Sequence, residues 1–295
     1  MVDKSKLLVL SLILILVVSL FSLAFLVSQN FALTGELDRV CDQNQSLVQR
    51  LDMVDVLTAS HVELDSELRF LAENLVNASK QLSSLGLSGE QACTVLSDLV
   101  AKSSFIFNVA TYDLSYKMRA VVSSENYGTY EQLLVNGSFV DLNFDVSSGL
   151  VLTKVVALNS LYDCVLLASR VFDVDANQIG FVILAFNHVD LLNSTFSSFI
   201  GDCDYTVTIT QTDSVIIYDS DASQIGKSLV DPLFAVYPQL LAFAHRVAEE
   251  PSGYGTYQFV VDANSNQVVH KQCYWLTLDA YGGTWRLALI HPIVS

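Results

Sequence analysis

Hydrophobic and polar positions divide the chain into three regimes. The first is residues 7–28, an apolar run of 22 residues in which Ser is the only polar type. As a helix it would span about 33 Å, enough to cross the hydrocarbon core of a bilayer. Lys4 and Lys6 precede the run, and Glu36, Asp38 and Arg39 follow it. The positive-inside rule therefore places the N-terminus in the cytoplasm and the bulk of the chain outside. The run is longer than the roughly 7–15 apolar residues of a cleaved signal peptide, and no clear A-x-A site follows, which favours an uncleaved single-pass anchor.

From 33 to 85 the chain is free of Pro and takes a helical period. Leu33, Leu37, Val40, Asn44, Leu47, Leu51, Val54 and Thr58 alternate in steps of four and three, a heptad seam. Asn44 lies inside that seam, where a buried amide fixes register at a cost in stability. A second row follows: Leu57, His61, Leu64, Leu68, Leu71, Leu75, Ala78, Leu82 and Leu85. The shift between rows predicts a change of partner, with the first half pairing with another chain and the second packing on its own domain. One amphipathic helix serving a single chain is the alternative. The run Gly86-Leu87-Ser88-Gly89 ends the helix.

Beyond it, β-branched and aromatic stretches separated by turn residues predict strands at 104–114, 116–123, 154–159, 162–172 and 178–187, with a hairpin loop at 173–177. A short helix is expected at 190–200. Strands at 205–211 and 214–219 come next, then a helical region carrying Leu229, Leu233, Phe234, Leu240, Leu241, Ala244 and Val247, then strands at 256–262, 267–279 and 284–291. One plan is thus used twice. The expected fold is α+β, a long N-terminal helix followed by two lobes with antiparallel five-stranded sheets. Its divisions are 1–28 for cytoplasmic stub and anchor, 29–85 for the stalk, 86–190 for one lobe and 191–295 for the other.

Composition narrows the function. The chain is 52% apolar and 16% charged, so it can build a sizeable core. With 15 Lys+Arg against 31 Asp+Glu the formal charge is −16, which argues against nucleic acid as a partner. The five Cys form no CxxC, and the five His form no HxH or HExxH, so no metal is expected. Without a GxSxG elbow, a P-loop or a dinucleotide fingerprint, no enzyme activity and no cofactor are expected either.

Residues 210–233, TQTDSVIIYDSDASQIGKSLVDPL, resemble the hairpin-and-turn signature of the extracytoplasmic Cache sensor domains, in their double form with two PAS-like lobes on a long helix. The segments GYGTYQF at 253–259 and GTWRLAL at 283–289, with the Lys271 and Trp275 pair, are similar to the strands that close such a lobe, and 170–192 resembles the last hairpin of the first lobe. The local physics agrees: Asp219 and Asp221 suit an Asx turn, and Gly226 suits a positive φ. These residues read as determinants of the fold before they read as ligand contacts.

The resemblance implies a small organic ligand held between a sheet and its inserted segment, in the membrane-distal lobe, which is the first by chain order. Candidates there are Tyr112, Arg119, Tyr127, Tyr130, Tyr162, Arg170, Asp173 and Asn187. Arg offers a planar donor fork to a carboxylate, and Tyr offers walls. For each Arg a surface charge is an equal alternative. Amino-acid-binding relatives carry an Arg-x-Trp-Tyr run and an Asp at the last strand end. Residues 120–160 hold no Trp, and Asn187 stands at that strand end, so amino-acid binding is not expected. The second lobe has its own constellation in Tyr218, Lys271, Tyr274, Trp275 and Arg286.

The reading that follows is a membrane-anchored extracytoplasmic small-molecule sensor. It lacks a transmitter of its own and acts through a membrane signalling partner, with a homodimer formed through the stalk. The alternative is a structural envelope protein with an oligomerising stalk, in which both lobes would be filled by their own side chains.

Overall fold

The computed structural model describes residues 4–124, 149–157, 163–200, 204–260 and 267–293, with side chains from Phe25 onward apart from Leu233 and Ala235. Helix α1 (Lys4–Leu85) opens the chain. The chain forms two compact units, 1–53 and 54–295. In the first, Leu33, Leu37, Val40, Leu47 and Leu51 of the first heptad row are exposed. Among the described residues no helix is long and apolar enough to cross a membrane. The 7–28 run lies mostly outside the residues whose side chains are described.

In the second unit most of the other row is buried: Leu57, Leu64, Leu68, Leu71, Leu75, Ala78 and Leu82 are all at most 3% exposed, while Leu85 at its end is exposed. Two hydrogen bonds fix where this part of α1 lies. The His61 ring meets the Thr277 carbonyl at 3.1 Å, and Ser79 Oγ donates to the Arg170 carbonyl at 2.6 Å. The helix thus touches the second lobe before it reaches the first. It ends where Gly86, at φ 83°, donates its N–H to the Leu82 carbonyl. An element the periodicity did not predict follows, α2 (Glu90–Val100), which buries Ala92, Val95, Leu96 and Leu99.

The first lobe contains β1 (Ile106–Asp113), β2 (Met118–Ser123), β3 (Leu150–Leu152), β4 (Val156–Ala157), β5 (Asp163–Phe172) and β6 (Gln178–Phe186). Their order is β2-β1-β6-β5-β3, with the two-residue β4 also pairing with β5. Helix α3 (His188–Ile200) leads to β7 (Thr206–Gln211) and β8 (Ile216–Asp219). Two short 3₁₀ turns, Ala222–Gln224 and Pro232–Val236, and helix α4 (Pro238–Glu249) are inserted before β9 (Ser252–Val260), β10 (Val268–Ala280) and β11 (Gly283–Pro292). The second sheet runs β8-β7-β11-β10-β9. Every pairing in both sheets is antiparallel. The two lobes share one strand order, and the anticipated pair of antiparallel five-stranded sheets is present. Strand β3 falls between the strands expected at 116–123 and 154–159, where none was anticipated.

Strand β9 begins four residues earlier than expected. Gly253 and Gly255 have poor strand propensity, yet a methyl at Gly253 would overlap the Trp275 ring and one at Gly255 would crowd Phe243. The close approach of these rings requires glycine there. Between the lobes, Leu152 N–H donates to the Tyr281 carbonyl at 2.9 Å, and Lys154 meets Asp213 at 2.6 Å. The ion pair is exposed and worth at most about 1 kcal/mol. Each buried Leu of α1 is worth about 1.5–3 kcal/mol, so apolar packing holds the second unit together.

Candidate functional site

The first-lobe candidates scatter over several environments. Tyr112 on β1 and Arg170 on β5 both pair with Phe181 of β6, which places them in one row across three strands. Tyr116 stacks on Phe181 at 5.6 Å. Tyr112 is 3% exposed, and burial pushes its hydroxyl well above the ordinary tyrosine range. Arg119 is exposed on β2, 3.7 Å from Asp113. Asp173 sits at the β5–β6 turn, where its Oδ1 accepts the Asp175 and Asn177 N–H groups, bonds that hold its carboxyl below the usual range. Asn187 precedes α3 and exchanges hydrogen bonds with Asp190, an N-cap arrangement. Tyr127, Tyr130 and Tyr162 lie outside the described residues.

The second lobe encloses a cavity of about 300 Å³. Its floor is the sheet and its roof is the inserted segment. Alternation along β7 turns Thr206, Thr208 and Thr210 to one face, and all three line the cavity beside Asp219 at the end of β8. Opposite them stand Leu229, Phe234, Leu240, Phe243, Ala244 and Val247 of the roof. The lining is therefore an oxygen-rich edge facing an apolar cover, the usual make-up of a small-molecule site.

The roof is held in place by buried polar contacts. The Arg286 side chain, on β11, donates from Nε to the Val247 carbonyl at 3.1 Å, from Nη2 to the Ala248 carbonyl at 3.4 Å and from Nη1 to Thr277 Oγ1 at 2.6 Å. It thus satisfies carbonyls at the C-terminal end of α4 and complements the helix dipole there. Trp275 Nε1 donates to the Glu250 carbonyl at 3.0 Å, and its ring meets Phe243 edge-on at 5.3 Å. Phe243 also stacks on Tyr257 at 4.7 Å.

Asp219 is the charged group best placed on the cavity wall. Its Oδ2 accepts from Thr208 Oγ1 at 2.6 Å and its Oδ1 from the Asp221 N–H at 2.8 Å. The Asx turn anticipated from sequence is thus present, and Asp221 in turn accepts the Ser223 N–H at 3.0 Å. Gly226 has the expected positive φ, 85°. Loss of water pushes the Asp219 carboxyl up to about 6, opposed by the Thr208 and Asp221 bonds. Lys271 reaches over the Phe259 ring, 5.6 Å from its centroid. Cys273 lies at the back of the cavity, where burial keeps its thiol protonated.

Of the second-lobe residues singled out in the sequence, Lys271 lines the cavity, Trp275 and Arg286 fasten its roof, and Tyr218 bonds Asn193 at 3.3 Å. Sequence reasoning took Asp219 for a turn residue before a ligand contact and passed over the threonines. The signal was Thr206-Val207-Thr208-Ile209-Thr210, a polar stripe at period two in a strand flanked by core. The other cysteine in a strand, Cys164, is buried in the first-lobe core, its thiol pushed up to about 12.

No family model and no curated protein matches this sequence. Solved structures do share its fold. An extracellular ligand binding receptor from Desulfohalobium retbaense is 23% identical with a TM-score of 0.60 over 80% of this chain, which spans only 39% of that one. The ligand-binding domain of the Pseudomonas fluorescens chemoreceptor CtaA, in complex with L-serine, is 13% identical with a TM-score of 0.60, over 83% of this chain and 98% of that one. The periplasmic sensory domain of the Campylobacter jejuni chemoreceptor Tlp1 is 10% identical with a TM-score of 0.55, over 81% and 91% of the two chains. At these identities the likeness is one of fold: a long helix followed by two lobes of one strand order, the architecture that the double Cache resemblance implied.

Proposed function

We propose that this protein is a membrane-anchored extracytoplasmic sensor that binds a small organic molecule in the cavity of its second lobe and performs no catalysis. The observation that carries this reading is the cavity of about 300 Å³, with a fixed carboxylate and hydroxyls on one edge and an apolar roof on the other. A purely structural lobe would fill that space with its own side chains, as cores do. The 7–28 run serves as the anchor, and the lobes occupy 86–190 and 191–295. The neighbouring chemoreceptor domains, one of them bound to L-serine, support a sensing role. Ligand acts by favouring one of two roof positions, and output passes to a membrane partner.

Thermal denaturation of the full chain in detergent micelles, against a panel of small acids, amines and peptides, tests the site. At least one compound should raise the melting temperature of the wild type and leave Ala244→Trp, which fills the cavity, unmoved. If no compound discriminates the two proteins, the cavity is not a ligand site. The exposed heptad row of α1 supports a homodimer through the stalk. Cys41 is exposed beside Val40 of the seam, so mild oxidation should yield a covalent dimer. A chain that stays monomeric at high concentration contradicts the seam.

A further inference from the structure

The cavity's polar lining is unbalanced, and the imbalance bears on what it can hold. Thr206, Thr208, Thr210, Ser220 and the Asp219 and Asp221 carboxylates gather on the β7–β8 side, while the cation Lys271 comes from β10. In the sheet order β8-β7-β11-β10 Lys271 lies three strands from Asp219, and its charge is the smallest of the influences on the Asp219 carboxyl. Lys271 is turned over Phe259 on its own side. The β7–β8 edge is thus rich in hydrogen-bond acceptors and negative in charge, and Asp219 is oriented there by donors from Thr208 and Asp221.

We propose that the second-lobe cavity takes a small organic amine, with its ammonium against Asp219 and the β7 threonine hydroxyls and its apolar body beneath Phe234, Leu240 and Phe243. The proposal rests on the reading of this cavity as a ligand site and deepens it. A carboxylate ligand would have to enter a space already edged by two acidic side chains, which repel it. Lys271 is the opposite charge acting on Asp219 across the cavity, and it does so only weakly; a neutral ligand would add nothing to that, whereas an ammonium supplies both charge and donors at contact distance. The amphipathic division of the walls sets the rest of the ligand: one cationic head, and a body of the size of a phenyl or branched alkyl group.

The test uses benzylamine, benzyl alcohol and benzoate, three probes with one body and three heads, titrated calorimetrically into the full chain in micelles. Benzylamine should bind at least about tenfold more tightly than the alcohol, and benzoate more weakly than either. Asp219→Asn should erase the preference for benzylamine over benzyl alcohol. Should Asp219→Asn fail to fold, pH serves on the wild type. Asp221, Tyr218, Lys271, Tyr257 and Cys273 surround Asp219. The Asp221 carboxyl is held below its ordinary range and the Tyr218, Tyr257 and Cys273 groups above theirs. Benzylamine affinity should therefore rise between pH 5 and 7 as Asp219 ionises, while benzyl alcohol affinity stays flat. Benzoate or benzyl alcohol binding as tightly as benzylamine, or a flat benzylamine profile, overturns the amine assignment. If such probes still compete with Ala244→Trp filling, the cavity stands as a site for another class. If none of the three binds and filling changes nothing, both readings fall.

Discussion

Replacing Arg286 by Met should loosen the roof of the second-lobe cavity without emptying the core beneath it. The guanidinium is 8% exposed and makes three hydrogen bonds, two to carbonyls at the end of α4 and one to Thr277. Bonds from a charged donor contribute about 1.5–3 kcal/mol each, and the 3.4 Å bond to Ala248 contributes little. Removing a buried charge returns part of its desolvation cost. The net loss comes to about 2–4 kcal/mol. Arg286→Lys should lose nearly as much, because one ammonium cannot reach both α4 and Thr277. The measurement is favoured by a feature of the chain: its two tryptophans, Trp275 and Trp285, both lie in the second sheet. Urea denaturation followed by tryptophan emission therefore reports on that lobe. With a slope of about 1–3 kcal/mol per molar urea, the midpoint should fall by about 1–2 M. A midpoint within about 0.3 M of wild type would refute the claim that Arg286 fastens α4.

Three further outcomes follow from buried or crowded groups. His188, at the start of α3, is 1% exposed, and burial draws its imidazole down to about 4, against a bond with the Ile217 backbone. Because the unfolded imidazole takes up a proton that the folded one refuses, stability should fall as pH drops from about 6.5 to about 4, by up to about 3 kcal/mol; His188→Leu should flatten that part of a pH–denaturation curve. Asp219 has the opposite sign: its raised folded value means stability is lost as pH rises from about 4 to about 6. Asp219→Asn should therefore match wild type near pH 4 and exceed it at pH 7.5 by about 1–2 kcal/mol in urea titrations, and equal stability at both pH values would contradict the burial of that charge. Gly253→Ala should drive a methyl into Trp275, lower stability by about 1–3 kcal/mol and shift the tryptophan emission; an unchanged spectrum would show that the ring moves aside freely.

The repeated plan was legible because its strands carry strong apolar periodicity and are bounded by turn chemistry that depends on few residues. The Asp173 and Asp219–Asp221 turns act through bonds to nearby backbone, and Gly226 through its positive φ, features that local sequence encodes directly. Helix α2 was not legible as such. The helix that carries its stripe of Ala92, Val95, Leu96 and Leu99 has only 11 residues, too few for periodicity to stand out between a long helix and a strand. The three-residue β3 has no signal of its own, and its place comes from pairing with β5. The candidate site was legible only in pieces. Lys271 and Arg286 were named in the second-lobe constellation, but the joining of Thr208 to Asp219 depends on the register of β7 against β8. A carboxylate that both closes a turn and faces a cavity looks, in one dimension, like a turn residue.

The strand order carries a consequence for how the protein is made. In each sheet the central position belongs to the last strand synthesised in that lobe: β6 lies between β1 and β5, and β11 between β7 and β10. Local hairpins such as β7–β8 and β9–β10 can close early, but they share no ladder until β11 arrives between them. A nascent lobe therefore stays open until its final strand has emerged, and closure then joins segments far apart along the chain, which slows folding. Such delay leaves the edges of each nascent lobe unpaired, and open to wrong partners, until the last strand has formed.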